Sequence, residues 1–207
     1  MLTRTRTEVR SSHLRAFALD RTRVALVPEQ ALLLADDQVT VTVRVGAGSS
    51  LEIVEPGGTV AYAMRGRSAR WDVTIEVDAG GTLVWHGEPF VVAEGADVER
   101  TTSVEVSAGA SVTLRETLVL GRAGETPGGL KSRTEVRREG APVLLEDLDA
   151  RVGMGPHRVL DQVLHLGSPC ADDEHSMTLE SGDVLRRWLG AATHASPLRR
   201  QSSARPE

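Results

Sequence analysis

Cysteine, histidine and carboxylate side chains come closest together in the run Cys170-Ala-Asp-Asp173-Glu-His175. A thiolate, an imidazole and a carboxylate in one loop could hold a borderline-soft metal ion such as nickel or zinc, which makes Cys170 and His175 the weak metal candidates of the chain. A solvated loop after Pro169 accounts for the same residues without a metal, and it is the favoured reading. The six histidines are His13, His86, His157, His165, His175 and His194, and none has a partner at His-x-His or His-Glu-x-x-His spacing. His86, beside Trp85 in an apolar run, reads as a half-buried strand residue. A nucleophile elbow, a phosphate loop and a dinucleotide fingerprint are all missing. An all-β metal enzyme of the cupin type needs paired histidines and a glutamate on adjacent strands, and only His86 stands in the central region. No catalytic constellation is therefore expected, and no cofactor of the chain's own.

The elements that would carry any site are repetitive. Val43-Arg-Val-Gly-Ala-Gly48-Ser-Ser-Leu51-Glu-Ile53, Ile75-Glu-Val-Asp-Ala-Gly80-Gly-Thr-Leu83-Val-Trp85 and Val104-Glu-Val-Ser-Ala-Gly109-Ala-Ser-Val112-Thr-Leu114 share one pattern. It is apolar-x-apolar-x-Ala-Gly-x-x-apolar-x-apolar. A decayed fourth copy runs through Gly140 to Val143 and Leu145, so the glycines stand 32, 29 and 31 residues apart. Alternation with period two places the apolar residues on one sheet face, and glycine supplies the positive φ that closes the turn between two strands. One such unit cannot bury its apolar face, whereas stacked units can. The period of about 30 predicts a solenoid-like stack, with a Greek-key sandwich as the alternative.

Outside the repeats, strands are expected over 3–10 and 23–27 and a terminal hairpin about Ser181-Gly182. A helix is expected over 156–166, where Pro156 suits a first turn and Val159, Leu160, Val163 and Leu164 share a helical face. A single domain is expected over 1–195, with a polar tail at 196–207 expected to be disordered.

Composition narrows the class of function. Hydrophobic residues make up 40% and charged residues 26%, which supports a folded core. Aromatics are only 3%, so that core must be aliphatic. A net charge of −5 argues against nucleic acid as a partner. One cysteine excludes an internal disulfide. With neither an apolar span nor a signal-peptide core, a cytoplasmic protein without membrane contact is expected.

Ordered markers run from about Asp37 to Leu189. Ala35-Asp36-Asp37 precedes the alternating strand Val39 to Val45, and Val54-Glu55-Pro56-Gly57-Gly58-Thr59-Val60-Ala61-Tyr62 follows. Ala93-Glu94-Gly95-Ala96 comes next, then Glu116, Gly121-Arg122 and Gly124-Glu125. In order and spacing these resemble the urease accessory protein D family (UreD, also UreH), whose members carry Gly-Gly-Asp, Thr-Thr-Pro-Gly-x-Thr-Lys-x-Tyr, Phe-x-Gly-Ala and Glu…Gly-Arg…Gly-Glu. The chain departs from that pattern at Val54, Glu55 and Val60, where the family has two threonines and a lysine. It departs again at Gly87-Glu88-Pro89-Phe90, where the family has Pro-x-Glu-Thr, and it is shorter than typical members.

The resemblance implies two stacked sheets in a helical arrangement of strands with one or two short helices. It also implies a non-catalytic scaffold that binds UreF, through it the nickel GTPase UreG, and urease apoprotein, with nickel in transit through the interior. Asp37, Pro56, Gly57, Thr59, Tyr62, Glu116, Gly121, Arg122 and Glu125 are the partner-binding candidates that the matched markers supply. The last of these markers has two readings: a functional loop, or an Arg122–Glu125 pair that merely holds the loop.

Overall fold

The computed structural model describes residues 7–30, 32–168, 170 and 173–198. Strands β1 (Glu8–Ser11), β2 (Leu14–Ala18) and β3 (Arg23–Pro28) lead into three stacked coils. The first coil is β4 (Gln38–Val45), β5 (Ser50–Val54) and β6 (Thr59–Ala61). The second is β7 (Ala69–Val77), β8 (Thr82–His86) and β9 (Phe90–Val92), and the third is β10 (Asp97–Val106) and β11 (Ser111–Leu120). Then come β12 (Gly129–Arg138), β13 (Ala141–Asp149), a one-turn helix α1 (Ala150–Gly153), β14 (Val159–Leu166), β15 (Ser176–Thr178) and β16 (Val184–Gly190). The strands form a six-stranded sheet in the order β1-β4-β7-β10-β12-β13 and a ten-stranded sheet in the order β15-β16-β14-β11-β8-β5-β3-β2, with β9 beside β11 and β6 beside β9. The protein is thus all-β, with two stacked sheets and solenoid-like coils, as the repeat predicts.

Each Ala-Gly dipeptide turns the chain from the first sheet to the second. Gly48, Gly80 and Gly109 have φ of 63°, 66° and 68°, a left-handed conformation that costs glycine little. The turns stack on one another: the Gly48 N–H donates to the Ala79 carbonyl at 3.0 Å and the Gly80 N–H to the Ala108 carbonyl at 3.2 Å. Parallel register follows, with Val43 beside Ile75, Ile75 beside Val104 and Val104 beside Val136. All of these point into the aliphatic core. Gly80→Val or Gly109→Val is expected to cost about 1–3 kcal/mol, because a β-branched residue is forced to positive φ. Urea unfolding checks this, and unchanged midpoints in both would refute the strain argument.

Two expectations are corrected. The fourth copy does not cross between sheets. Glu139 (φ 50°) and Gly140 (φ 79°) both adopt positive φ, the geometry of a tight hairpin, and β13 returns antiparallel to β12 in the same sheet. The coil stack ends there. The helix over 156–166 is also absent, for Val159–Leu166 is strand β14, antiparallel to both β11 and β16. Seven of its eight residues are buried, on both faces. A strand buried on both faces loses its alternation, and its apolar pairs then fall equally well at helical spacing. The first expected strand is β1, with residues 1–6 outside the described residues, and the second is β3. The terminal hairpin forms as β15 and β16. Ser196 and Leu198, in the stretch expected to be a tail, are buried, while 199–207 lie outside the described residues. No helix of the described residues is long and apolar enough to cross a membrane.

Candidate functional site

In the second sheet β5–β6 and β8–β9 are single rows interrupted by short bulges. Pro56, Gly57 and Gly58 form one bulge, and Gly87 to Pro89 the next. They pack closely: the Thr59 N–H donates to the Pro89 carbonyl at 3.0 Å and the Gly87 N–H to the Arg115 carbonyl at 3.0 Å. The bulges re-aim a side chain, as such irregularities do. Glu55 is bent toward the core, where its carboxylate accepts from the Trp85 indole N–H at 2.8 Å and the Glu88 N–H at 3.0 Å. Burial pushes its carboxyl up from the ordinary range, against those two hydrogen bonds.

Facing Glu55 across a partly open cavity of about 30 Å³ is a charged centre within the core. Arg100 on β10 and Glu116 on β11 lie 2.5 Å apart and are 9% and 6% exposed. Glu116 also accepts from Thr102 Oγ1 at 3.2 Å and from Gln162 Nε2 at 3.0 Å. Burial alone would raise the Glu116 carboxyl, but the charge of Arg100 and these hydrogen bonds outweigh it and hold the group below the usual range. Gln162 continues the chain, since its Oε1 accepts from Arg187, which pairs with Glu146 on β13 at 2.6 Å. Polar side chains therefore cross the interior from the Glu55 bulge to the far edge of the first sheet.

A second ionic centre lies on the outer face of the second sheet. Asp161 is fully buried and accepts from Arg115 Nε at 3.0 Å, Arg115 Nη2 at 2.7 Å, Thr117 Oγ1 at 2.9 Å and the Ser196 hydroxyl. That bond brings residues 193–198 down over β14.

The sequence-derived candidates divide among three places. Thr59 and Glu116 reach the cavity, and Pro56 and Gly57 build the bulge that turns Glu55 inward. Tyr62, Gly121, Arg122 and Glu125 gather at the turns opposite the Ala-Gly stack. There the Tyr62 N–H donates to Leu33 and the Gly121 N–H to Val92. Asp37 caps the neighbouring turn by accepting from the Leu34 N–H at 2.9 Å. Arg122 and Glu125 do pair, at 2.5 Å, and Glu125 also accepts from the backbone N–H groups of Arg122 and Glu94. The Arg122 guanidinium and these N–H groups hold the Glu125 carboxyl down to about 2. The holding role is thus present, and Tyr62, 40% exposed, supplies an accessible aromatic beside it. Cys170 and His175 stand in the loop before β15. Asp173 between them is committed to Arg186, Ser176 and the His175 N–H, and Asp172 lies outside the described residues. Among the described residues no three histidine, cysteine or carboxylate side chains come together as metal ligands.

Sequence reasoning missed Arg100, Thr102, Asp161 and Gln162. Arg100 and Thr102 could have been found, because in Asp97-Val-Glu-Arg-Thr-Thr-Ser-Val-Glu-Val they share parity with Val98, Val104 and Val106. A charge on the buried face of a repeat is the signal.

Fold and site together define a class: a coiled, parallel two-sheet β-scaffold with an ionic interior. Comparison with known proteins makes the class specific. The family model described as UreD urease accessory protein matches residues 5–204, and the chain belongs to that family. It is 45% identical over 157 residues to "Urease accessory protein UreD 1" of Streptomyces griseus, covering 72% of this chain and 62% of that protein. It is 34% identical over 154 residues to "Urease accessory protein UreD 2" of Saccharopolyspora erythraea, covering 69% and 54%. Against "Urease accessory protein UreD" of Streptomyces avermitilis the identity is 35% over 187 residues, covering 85% and 71%. The chain thus matches somewhat over half the length of the first two relatives.

Proposed function

We propose that the chain is a non-catalytic scaffold of urease maturation. It binds UreF and through it the nickel GTPase UreG, docks on urease apoprotein in the cytoplasm, and gives nickel a polar route through its interior. The observation that carries the reading is the ionic chain across the core, from Glu55 through Arg100, Glu116, Gln162 and Arg187 to Glu146, in a protein of the UreD family. Buried ion pairs are often no better for stability than well-packed apolar residues. A two-sheet core has no need of them for folding, and their presence suits a passage for a cation. The turns around Tyr62, Arg122 and Glu125 are the surface offered to a partner, since loops on a rigid β-body are where binding residues concentrate. Deletion of the gene in a urease-bearing host is expected to leave urease protein abundant but nickel-poor and inactive. Metal analysis and urea hydrolysis in extracts read this out, and full urease activity in the deletion strain would overturn the assignment.

A further inference from the structure

Among the described residues the six-stranded sheet ends in β1 and β13, the ten-stranded sheet in β15 and β2, and its side row in β6. An edge strand offers unpaired N–H and C=O groups to any other chain, and proteins blunt such edges with short strands, charges or proline. β6 and β15 have three residues each. β1 has four and carries Glu8 and Arg10. β13 carries Pro142 and the acids Glu146, Asp147 and Asp149. The β2 edge is guarded least. It runs without charge or proline from Ala16 through Phe17 and Ala18 to Leu19, and every residue after Leu14 is exposed. Phe17 is 44% exposed and Leu19 52%. The one charge on the strand, Arg15, folds over the Phe17 ring at 5.2 Å.

Pairing with β3 fixes which backbone groups are left over. Arg15 stands opposite Val27 and Phe17 opposite Ala25. At the two ends of this ladder the Leu19 N–H donates to the Arg23 carbonyl at 2.9 Å and the Glu29 N–H to the His13 carbonyl at 3.1 Å. Bonded pairs alternate along an antiparallel ladder, so the odd-numbered residues of β2 bond to β3 and the N–H and C=O groups of Ala16 and Ala18 face the open edge. A second copy of β2, antiparallel about a two-fold axis at Phe17, matches them. Each Ala16 exchanges both backbone bonds with Ala18 of the other copy, and the two Phe17 residues form the close, non-bonded pair. Ala16-Phe17-Ala18 reads the same in both directions, so small side chains meet small ones and ring meets ring. Arg15 then stands opposite Leu19 of the other copy, and no like charges oppose one another. Such self-complementarity is what an isologous interface requires, and it favours a second copy over a strand of another protein.

We propose that β2 is a homodimer edge, which joins the ten-stranded sheets of two copies into one continuous sheet across a two-fold axis at Phe17. The aromatic pair at the axis and the backbone bonds on either side hold it together. The dimer carries the partner-facing turns around Tyr62, Arg122 and Glu125 in duplicate. The inference stands apart from the maturation reading, which rests on other parts of the chain.

The test is sedimentation velocity of the full chain over a concentration series, in which the wild type is expected to pass reversibly from monomer to dimer. Ala18→Pro removes an outward N–H without touching the bonds to β3. Phe17→Lys sets like charges directly opposite each other. Each change is expected to weaken dimerisation by about tenfold or more. Both positions are exposed, and circular dichroism verifies the β-spectrum of each variant. Leu145→Lys, on the β13 edge, leaves the dimer unaltered. Register is read separately from Phe17→Cys in a Cys170→Ser background. A non-bonded pair brings its two Cα atoms to about 4.5 Å, within disulfide range, so mild oxidation links two chains. Arg15→Cys in the same background gives no link, because its two copies stand too far apart. A wild type that stays monomeric at every soluble concentration overturns the proposal and leaves the edge to a strand of some other protein. A dimer that survives both Ala18→Pro and Phe17→Lys overturns it too, as does cross-linking through Arg15→Cys in place of Phe17→Cys.

Discussion

Asp161→Ala is expected to destabilise the protein by about 3–5 kcal/mol, the usual cost of removing one partner from a buried ion pair. Asp161 is fully buried, and Arg115, its partner through two nitrogens, is only 14% exposed. Without the carboxylate the Arg115 guanidinium remains largely buried on the outer face of the second sheet and loses the partner that held two of its nitrogens. Thr117 loses its acceptor, and so does Ser196. The loss is a large share of a typical stability of about 5–15 kcal/mol. It is also local in a checkable way, because the Leu198 N–H donates to Ser196 Oγ and Leu198 itself is buried. Hydrogen exchange at Leu198 should accelerate before the coils open. Asp147→Ala is the control: its pair with Arg133 is 65% and 46% exposed, and its loss should cost about 1 kcal/mol or less. Urea unfolding of the two variants side by side decides the matter, and equal midpoints would show that burial does not distinguish the pairs.

Gly121→Val should cost about 2–5 kcal/mol, from positive-φ strain and overpacking acting together. Gly121 has φ of 77°, and a Cβ there would lie 3.1 Å from the Thr126 carbonyl oxygen, 3.3 Å from that of Glu125, and against the Arg158 guanidinium. The backbone oxygens cannot yield without opening the turn. Arg158 is itself bonded to the carbonyls of Leu120 and Glu125, so displacing it unties the exit from β11. Gly124, three residues on with φ of 81°, has nothing within 4 Å of a built Cβ, so Gly124→Val carries backbone strain alone. A thermal midpoint well below that of Gly124→Val is the expected result for Gly121→Val. Matching midpoints would mean that the crowding at Gly121 relaxes freely.

Both residues were unequally visible before the fold was known. Gly121 could be marked from the sequence, as part of an ordered set of glycines and charges. Its reason, a turn packed under Arg158, could not, because Arg158 lies 37 residues further on. Asp161 was hidden by its neighbours. Val159-Leu-Asp-Gln-Val-Leu reads as one apolar face of a helix with two polar residues on the other, and only pairing with β11 and β16 makes it a doubly covered strand. Arg122 and Glu125 were legible as a pair, since three residues separate them and opposite charges at that spacing in a turn can meet.

By itself the sequence determined the coil. Alternation and a recurring Ala-Gly turn are local properties, and each repeat must stack on the next to bury its valines. It determined the absence of an internal disulfide and the likeness to urease accessory proteins. Tertiary structure alone decided where the stack stops: the hairpin has a second positive-φ residue, Glu139, before its glycine, which the crossing turns at Gly48, Gly80 and Gly109 lack. It alone brought Arg100, Glu116 and Gln162 together in the core, since they come from three strands as far as 62 positions apart. Local propensity cannot encode a meeting of charges between sheets. It follows from register, which is set by the whole set of stacked turns, and from the desolvation that makes those charges seek one another once the core closes.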